Sequence, residues 1–202
     1  NVAIATTTFY RPDEAVRIEL AKRTVGTAIE RGYHVSVVDG GSPDEFGTAL
    51  EGLGALVLEE IPGGMGTGRR QSFQSAYDTE RKVIAWTEPE KDSYIPELWK
   101  TALPVLEGKA DLVVPDRRPL DSYPEVQRLA ESIGNRHFLD ATGKDLDMWG
   151  GVRTWAREFT IYFINYDGKK YGFEDKWDSI FIPVQQMIYD SKIVMGVKID
   201  YT

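Results

Sequence analysis

A repeated switch between two hydrophobic periods is the strongest constraint on how this chain can fold. Val2 to Thr7 is a β-rich apolar run, and the apolar residues after it, Ile18, Ala21, Val25, Ala28 and Ile29, recur at helical spacing. Pro12, Asp13 and Glu14 suit the start of that helix, since proline fits a first turn and acids favour the positive helix end; Gly32 stops it. The alternation continues with a strand over His34 to Val38, a helix over Asp44 to Leu53, a strand over Ala55 to Leu58, a helix over Thr67 to Glu80 and a strand over Val83 to Trp86. Ile95, Leu98, Trp99, Ala102, Val105 and Leu106 mark another amphipathic helix, which Pro104 is expected to kink or shorten, and Leu112 to Val114 form a fifth strand. A helix from Pro124 to Phe138, an irregular aromatic stretch, a helix over Ser179 to Tyr189 and an alternating strand over Ile193 to Ile199 follow.

Strands alternating with helices call for an α/β fold, a mostly parallel sheet with helices on both faces. The 202 residues hold no linker, internal repeat or low-complexity tract, so a single domain over 1–202 is expected. In such sheets ligands bind beyond the carboxyl ends of the strands. The loops after Thr7, Val38, Leu58, Trp86 and Val114 are therefore where chemistry is expected.

Charge and composition exclude several function classes. A formal charge of -8 and an isoelectric point near 4.9 argue against nucleic-acid binding, which needs a basic surface to displace counterions. With 42% hydrophobic and 28% charged residues the chain reads as soluble and globular, and no apolar run approaches the ~18 residues of a membrane span. The absence of cysteine removes disulfides and thiolate metal sites, and with no signal-peptide pattern the cytoplasm is the default location. His34, at a strand start, and His137, beside Arg136 on a helix, read as structural rather than metal-binding.

Four of the loops carry candidate binding residues. VVDGGSPDE, residues 37–45, puts Asp39 at a strand end, where it can accept from a base or ribose, or equally cap its own turn. GGMGTGRRQS, residues 63–72, offers Gly64, Gly66 and Arg69 to a diphosphate, although its spacing fits neither a dinucleotide fingerprint nor a P-loop; a flexible loop with solvated arginines is the other reading. WTEPEKD, residues 86–92, places Glu88 and Glu90 where they could hold Mg or Mn with diphosphate oxygens, or form a solvated acidic turn. Arg117 and Arg118 follow the fifth strand and can pair with phosphate.

The order of these segments resembles the family-2 glycosyltransferases of the GT-A fold and their polyprenyl-phosphate sugar transferase relatives, over most of the chain. VVDGGSPDE is similar to that family's VVDDGSxD, IPGGMGTGRRQSFQSA to its NxGxGxARNxG, and ADLVVPDRR to its ADVVxGSR. SIGNRHF and TGKDLDMWGGVRTWARE resemble its LGNR and DxxSGFRxxRRE stretches. The resemblance implies Thr6, Thr7, Thr8 and Tyr10 near the nucleotide, Asp39 on base or ribose, Arg69 beside the diphosphate, Arg117 near phosphate and Asp147 at the reaction centre. It implies a nucleotide-sugar-binding half over 1–118 and an acceptor and catalytic half over 119–202. The family's DxD is replaced here by Glu88-Pro89-Glu90, whose longer side chains move the oxygens outward.

The expected activity is transfer of a sugar from a nucleoside-diphosphate sugar to an unidentified acceptor, assisted by Mg or Mn. An inverting mechanism needs a carboxylate base, for which Asp147 comes first and Asp178, before the last helix, second. DLDMWGG and KWDSIF are also similar to the retaining mannosylglycerate-synthase group. A noncatalytic sugar-nucleotide-binding protein is the alternative from another class, and a sugar nucleotidyltransferase on a related fold is a third. The latter resembles this chain in architecture but carries its arginine-containing glycine loop after the first strand, where TTTFYRPDE stands here. Trp155, Phe159, Tyr162 and Tyr166 recur at helical spacing and suit core packing or a contact between copies in a homo-oligomer.

Overall fold

The computed structural model describes residues 1–199 and 201. Among the described residues seven strands form one sheet: β1 (Val2–Thr8), β2 (His34–Asp39), β3 (Leu56–Glu59), β4 (Val83–Trp86), β5 (Leu112–Asp116), β6 (Arg153–Ala156) and β7 (Val194–Lys198). Their spatial order is β3-β2-β1-β4-β6-β5-β7, and only β6 runs antiparallel to its neighbours. The helices are α1 (Ala15–Glu30), α2 (Asp44–Leu53), α3 (Met65–Asp78), α4 (Leu98–Leu106), α5 (Glu125–Thr142), α6 (Thr160–Ile164) and α7 (Asp178–Tyr189).

The strand sequences explain the layers. Successive side chains of a strand point to opposite faces. Val2, Ile4, Val83 and Ala85 pack with α1, α2 and α4 on one face, while Ala3, Ala5, Ile84 and Trp86 pack with α3, α6 and α7 on the other. Burial on both faces is why these strands read as apolar runs rather than as half-polar alternations.

Two elements depart from the sequence expectation. α3 starts at Met65 rather than Thr67, so Gly66 joins Gly68, Arg69 and Arg70 in its first turns and the flexible-loop reading of this stretch falls. Part of the stretch expected to be irregular is β6, which pairs with β4 from Val83↔Ala156 to Trp86↔Arg153. The four aromatics at helical spacing do not share a helix, since Trp155 lies in β6 and Tyr162 in α6; Trp155 and Tyr166 are buried while Phe159 and Tyr162 are half-buried, and Trp155 stacks on Phe163 at 4.2 Å with Phe73 edge-on to both. Pro104 sits within α4, which ends two residues later.

Candidate active site

β1, β2, β3, β4 and β5 all point their carboxyl ends to one edge of the sheet, and antiparallel β6 brings its first residue, Arg153, to that same edge. A cleft of about 260 Å³ opens there, lined by Thr7, Thr8, Phe9, Tyr10, Arg17, Arg69, Trp86, Glu88, Pro89, Glu90 and Trp177. Four sequence-distant segments meet in it.

Arg69 dominates the electrostatics. It is 3% exposed yet forms no ion pair among the described residues. Its Nη1 donates to the Lys176 carbonyl at 2.7 Å and to Ser179 Oγ at 3.2 Å, whereas Nε has no partner. The guanidinium lies between the rings of Trp86 and Trp177, 5.2 and 4.7 Å from their centroids. Burial pulls its pKa down to about 10, an effect that Glu88, Asp178 and Asp175 only partly offset. A buried cation with a spare donor and no counterion favours an anion in the cleft.

Glu88 is the other uncompensated group. Burial raises its pKa above the ordinary glutamate range against the pull of Lys91, Arg69 and Arg117, and the group forms no ion pair among the described residues. Gly151, at φ +75°, brings its backbone against this carboxylate, since a Cβ there would lie 3.1 Å from Oε1. Glu90 is already occupied: Arg17 approaches it to 2.6 Å and Tyr10 Oη donates to it at 2.9 Å. Of the two glutamates, then, only Glu88 presents a carboxylate free of an arginine partner. Among the described residues no three His, Asp or Glu side chains converge into a cage for a metal. The donor set suits Mg or Mn held by Glu88 and completed by ligand oxygens, because Mg binds through one or two carboxylates plus phosphates.

The nucleotide-side residues divide. Thr6 is buried and donates to the Thr87 carbonyl at 2.8 Å, which joins β1 to the turn after β4 rather than facing the cleft. Thr7 and Thr8 line the cleft. Asp39 accepts from Gly41 N, Ser42 N, Ser42 Oγ and Thr8 Oγ1, so it organises its own turn. Gly64, at φ +87°, makes the turn into α3. Gly66 does something different: a Cβ on it would fall 2.3 Å from the Asp175 carboxyl group. That carboxylate, buried and at φ +59°, accepts two 2.8 Å bonds from Arg70 and fixes the segment carrying Trp177 over the cleft.

Asp147 is fully buried and does not face the cleft. It accepts from Arg117 N, Nε and Nη2 and from Asn135 Nδ2, and Arg117 also pairs with Glu131 at 2.6 Å. Burial alone would raise the Asp147 pKa, but the Arg117 guanidinium overrides it and holds the carboxyl below the usual range. Arg117 is correspondingly held above its ordinary value by Asp147, against the effect of burial. With two carboxylates against it, Arg117 has less charge to offer phosphate than Arg69. Asp178 is half-buried, accepts from Tyr166 Oη at 2.9 Å and Lys176 N at 2.7 Å, and lies close enough to Arg69 to influence it.

Trp86, Trp177 and Arg153 also belong to the site, with little in the sequence to mark them. Trp86 looked like any strand residue, and Trp177 lies more than 100 residues from the arginine it covers. Arg153 is fully buried with no carboxylate partner, donates to the carbonyls of Met148 and Val152, and has an unpartnered Nε. It fixes the 148–152 loop that packs on Glu88.

Neither any protein-family model nor any curated protein matches this sequence. Solved structures do. Glucosyl-3-phosphoglycerate synthase from Mycobacterium tuberculosis in complex with phosphoglyceric acid matches with a TM-score of 0.69 at 16% identity, covering 100% of this chain and 71% of that one. The same enzyme with Mn2+, uridine-diphosphate-glucose and phosphoglyceric acid gives 0.67 at 15% identity over 98% of this chain and 69% of that one. A crystal structure of a mycobacterial protein gives 0.69 at 17%, over 100% and 67%. Likeness at this identity speaks to architecture alone: the chain has the GT-A glycosyltransferase fold that its sequence segments resemble.

Proposed function

We propose that this protein is a glycosyltransferase that moves a sugar from a nucleoside-diphosphate sugar to an acceptor hydroxyl. The observation that carries the reading is Arg69, a buried guanidinium without a counterion at the carboxyl edge of the sheet, facing Glu88 across a cleft. The Arg69 guanidinium would donate to the diphosphate of the sugar donor, whose departure leaves negative charge that a preorganised cation stabilises. Solved structures of the same fold contain uridine diphosphate with Mn2+ or with Mg2+, which supports the same ligand class here. Bound Mg or Mn would neutralise diphosphate charge as a Lewis acid, with Glu88 its holder on the protein and Glu90 available only if Arg17 lets go.

The residues then take these duties. Thr7, Thr8 and Asp39 shape the nucleotide end, with Gly64 and Gly66 setting the first turn of α3 so that Arg69 reaches inward. Residues 1–118 supply the nucleotide-sugar side, and 119–202 supply Trp177, Asp178 and the acceptor side. We take the transfer as inverting, with Asp178 rather than Asp147 as the base. Asp178 lies near Arg69 and forms no ion pair among the described residues, whereas Asp147 is sealed against Arg117 and acts by positioning it. The protein is incubated with UDP- and GDP-sugars, Mn2+ and a panel of hydroxyl acceptors while nucleotide-diphosphate release is followed, and NMR reads the product's anomeric configuration. Release that depends on Arg69 and inverts the anomeric centre is expected. Tight binding without release in the presence of acceptors would replace this reading with that of a noncatalytic sugar-nucleotide-binding protein.

A further inference from the structure

We infer that Glu60 reads the nucleobase and makes the site selective for guanine. The inference rests on the nucleotide-sugar reading above and names the base that the reading leaves open. Glu60 directly follows β3, and its backbone N–H donates to the Asp39 carbonyl at 2.9 Å, so it stands beside the residue that ends β2. Its carboxylate enters a slot between two glycines. A Cβ on Gly40 would lie 2.6 Å from Oε2, and one on Gly68 would lie 3.0 Å from Oε1. Any larger residue at Gly40 would displace the carboxylate or be displaced by it.

Among the described residues this carboxylate forms no ion pair and accepts no side-chain hydrogen bond, unlike Asp39 next to it. Phe9 completes the slot. Its ring comes within 3.5 Å of the same point beside Gly40, and the side chain is 62% exposed at the mouth of the cleft. An exposed aromatic face beside an unoccupied pair of acceptors is a stacking platform with a hydrogen-bonding edge. Thr8 and Phe9 also line the cleft that holds Arg69, so base and diphosphate positions are contiguous.

The chemistry of a carboxylate then selects among bases. It offers two parallel acceptors and no donor. Guanine presents two adjacent donors, N1–H and the N2 amino group, which match it in a fork. Uracil presents one N–H between two carbonyl oxygens, so the second carboxylate oxygen would face like partial charge. Adenine and cytosine each place a ring-nitrogen acceptor beside their amino group, with the same conflict.

The test is calorimetric titration of GDP, IDP and UDP with Mg2+ into wild type, Glu60→Gln and Gly68→Ala. IDP lacks only the N2 amino group. Wild type is expected to bind GDP about 10- to 100-fold more tightly than UDP, as two hydrogen bonds to a charged acceptor imply, with IDP between them. Glu60→Gln, with one acceptor in place of two, is expected to lose most of that preference while UDP affinity stays within about twofold. Gly68→Ala, which favours the helix intrinsically, is expected to do the same by crowding the carboxylate. UDP binding as tightly as GDP to wild type, or Glu60→Gln weakening all three equally, would overturn the inference alone. Failure of every nucleotide to bind would overturn the sugar-nucleotide reading and the inference with it.

Discussion

Replacing Gly66 by alanine puts a methyl group where another side chain already sits. Gly66 is within α3, so alanine fits the backbone and gains about 1 kcal/mol of helix propensity. The new Cβ, however, would stand 2.3 Å from both Cγ and Oδ1 of Asp175. Asp175 is 1% exposed at its side chain and is held by the two Arg70 bonds and by Gly168 N at 3.3 Å, so it has no room to step aside without breaking them. Loss of a largely buried ion pair costs about 3–5 kcal/mol. The net is a destabilisation of about 2–4 kcal/mol, which for a chain of this size lowers the melting temperature by roughly 10 °C. The assay is thermal and urea unfolding of wild type, Gly66→Ala, Asp175→Gly and the double variant. Contact between the two residues predicts that the double variant is no less stable than Asp175→Gly alone. A Gly66→Ala protein that melts at or above wild type, or two effects that simply add, would refute the account of this contact.

Three further outcomes follow from the site. Glu88→Gln is expected to raise the melting temperature at pH 8 but not at pH 4 while weakening Mn2+-dependent nucleotide binding. The folded-state pKa of Glu88 is raised, so stability is intact below the unfolded value of about 4.3 and is lost as pH rises through the folded value; melting curves at the two pH values check it. Asp147→Asn is expected to cost about 3 kcal/mol at pH 7, because Arg117 keeps only Glu131 as a carboxylate partner. Its pKa is depressed, so the stabilisation is present above the unfolded value of about 3.9 and fades as pH falls through the folded one; the variant should show a flatter acid limb in urea titrations. Arg69→Met is expected to weaken nucleotide-diphosphate binding at least about tenfold by calorimetry, and Arg69→Lys to restore only part of it, since an ammonium cannot reproduce the planar stack between Trp86 and Trp177.

Most of the sheet was legible because its strands are buried on both faces and announce themselves as short apolar runs between helical periods. The exception is instructive. Arg-Thr-Trp-Ala of β6 has a charged first residue and too few positions for a period, and only its pairing with β4 makes it a strand. The start of α3 was misplaced for a similar reason. Gly66 and Gly68 lower helix propensity, yet the side chains of Asp175 and Glu60 occupy the space that their missing Cβ atoms leave. At the candidate site, residue types at strand ends pointed to the edge where the cleft opens, while pairing state did not show in sequence. Glu88 and Glu90 look equivalent as letters; one faces the cleft unpaired and the other is bound by Arg17 and Tyr10. Asp147 looked available beside two glycines, but Arg117 and Asn135 saturate it.

The position of β6 also dictates the order in which the molecule can be assembled. The chain lays down β4 and β5 early, but they never touch, because the strip between them is filled by residues 153–156. Until that segment has emerged and turned back, β4 offers an open edge of Val83, Ile84, Ala85 and Trp86, all of them buried in the finished protein. A hydrophobic edge with free backbone donors recruits other chains. Fragments that stop after β5 should therefore aggregate rather than fold into a self-standing nucleotide-binding half, and during synthesis β6 acts as a closing stitch that turns two incomplete sheets into one.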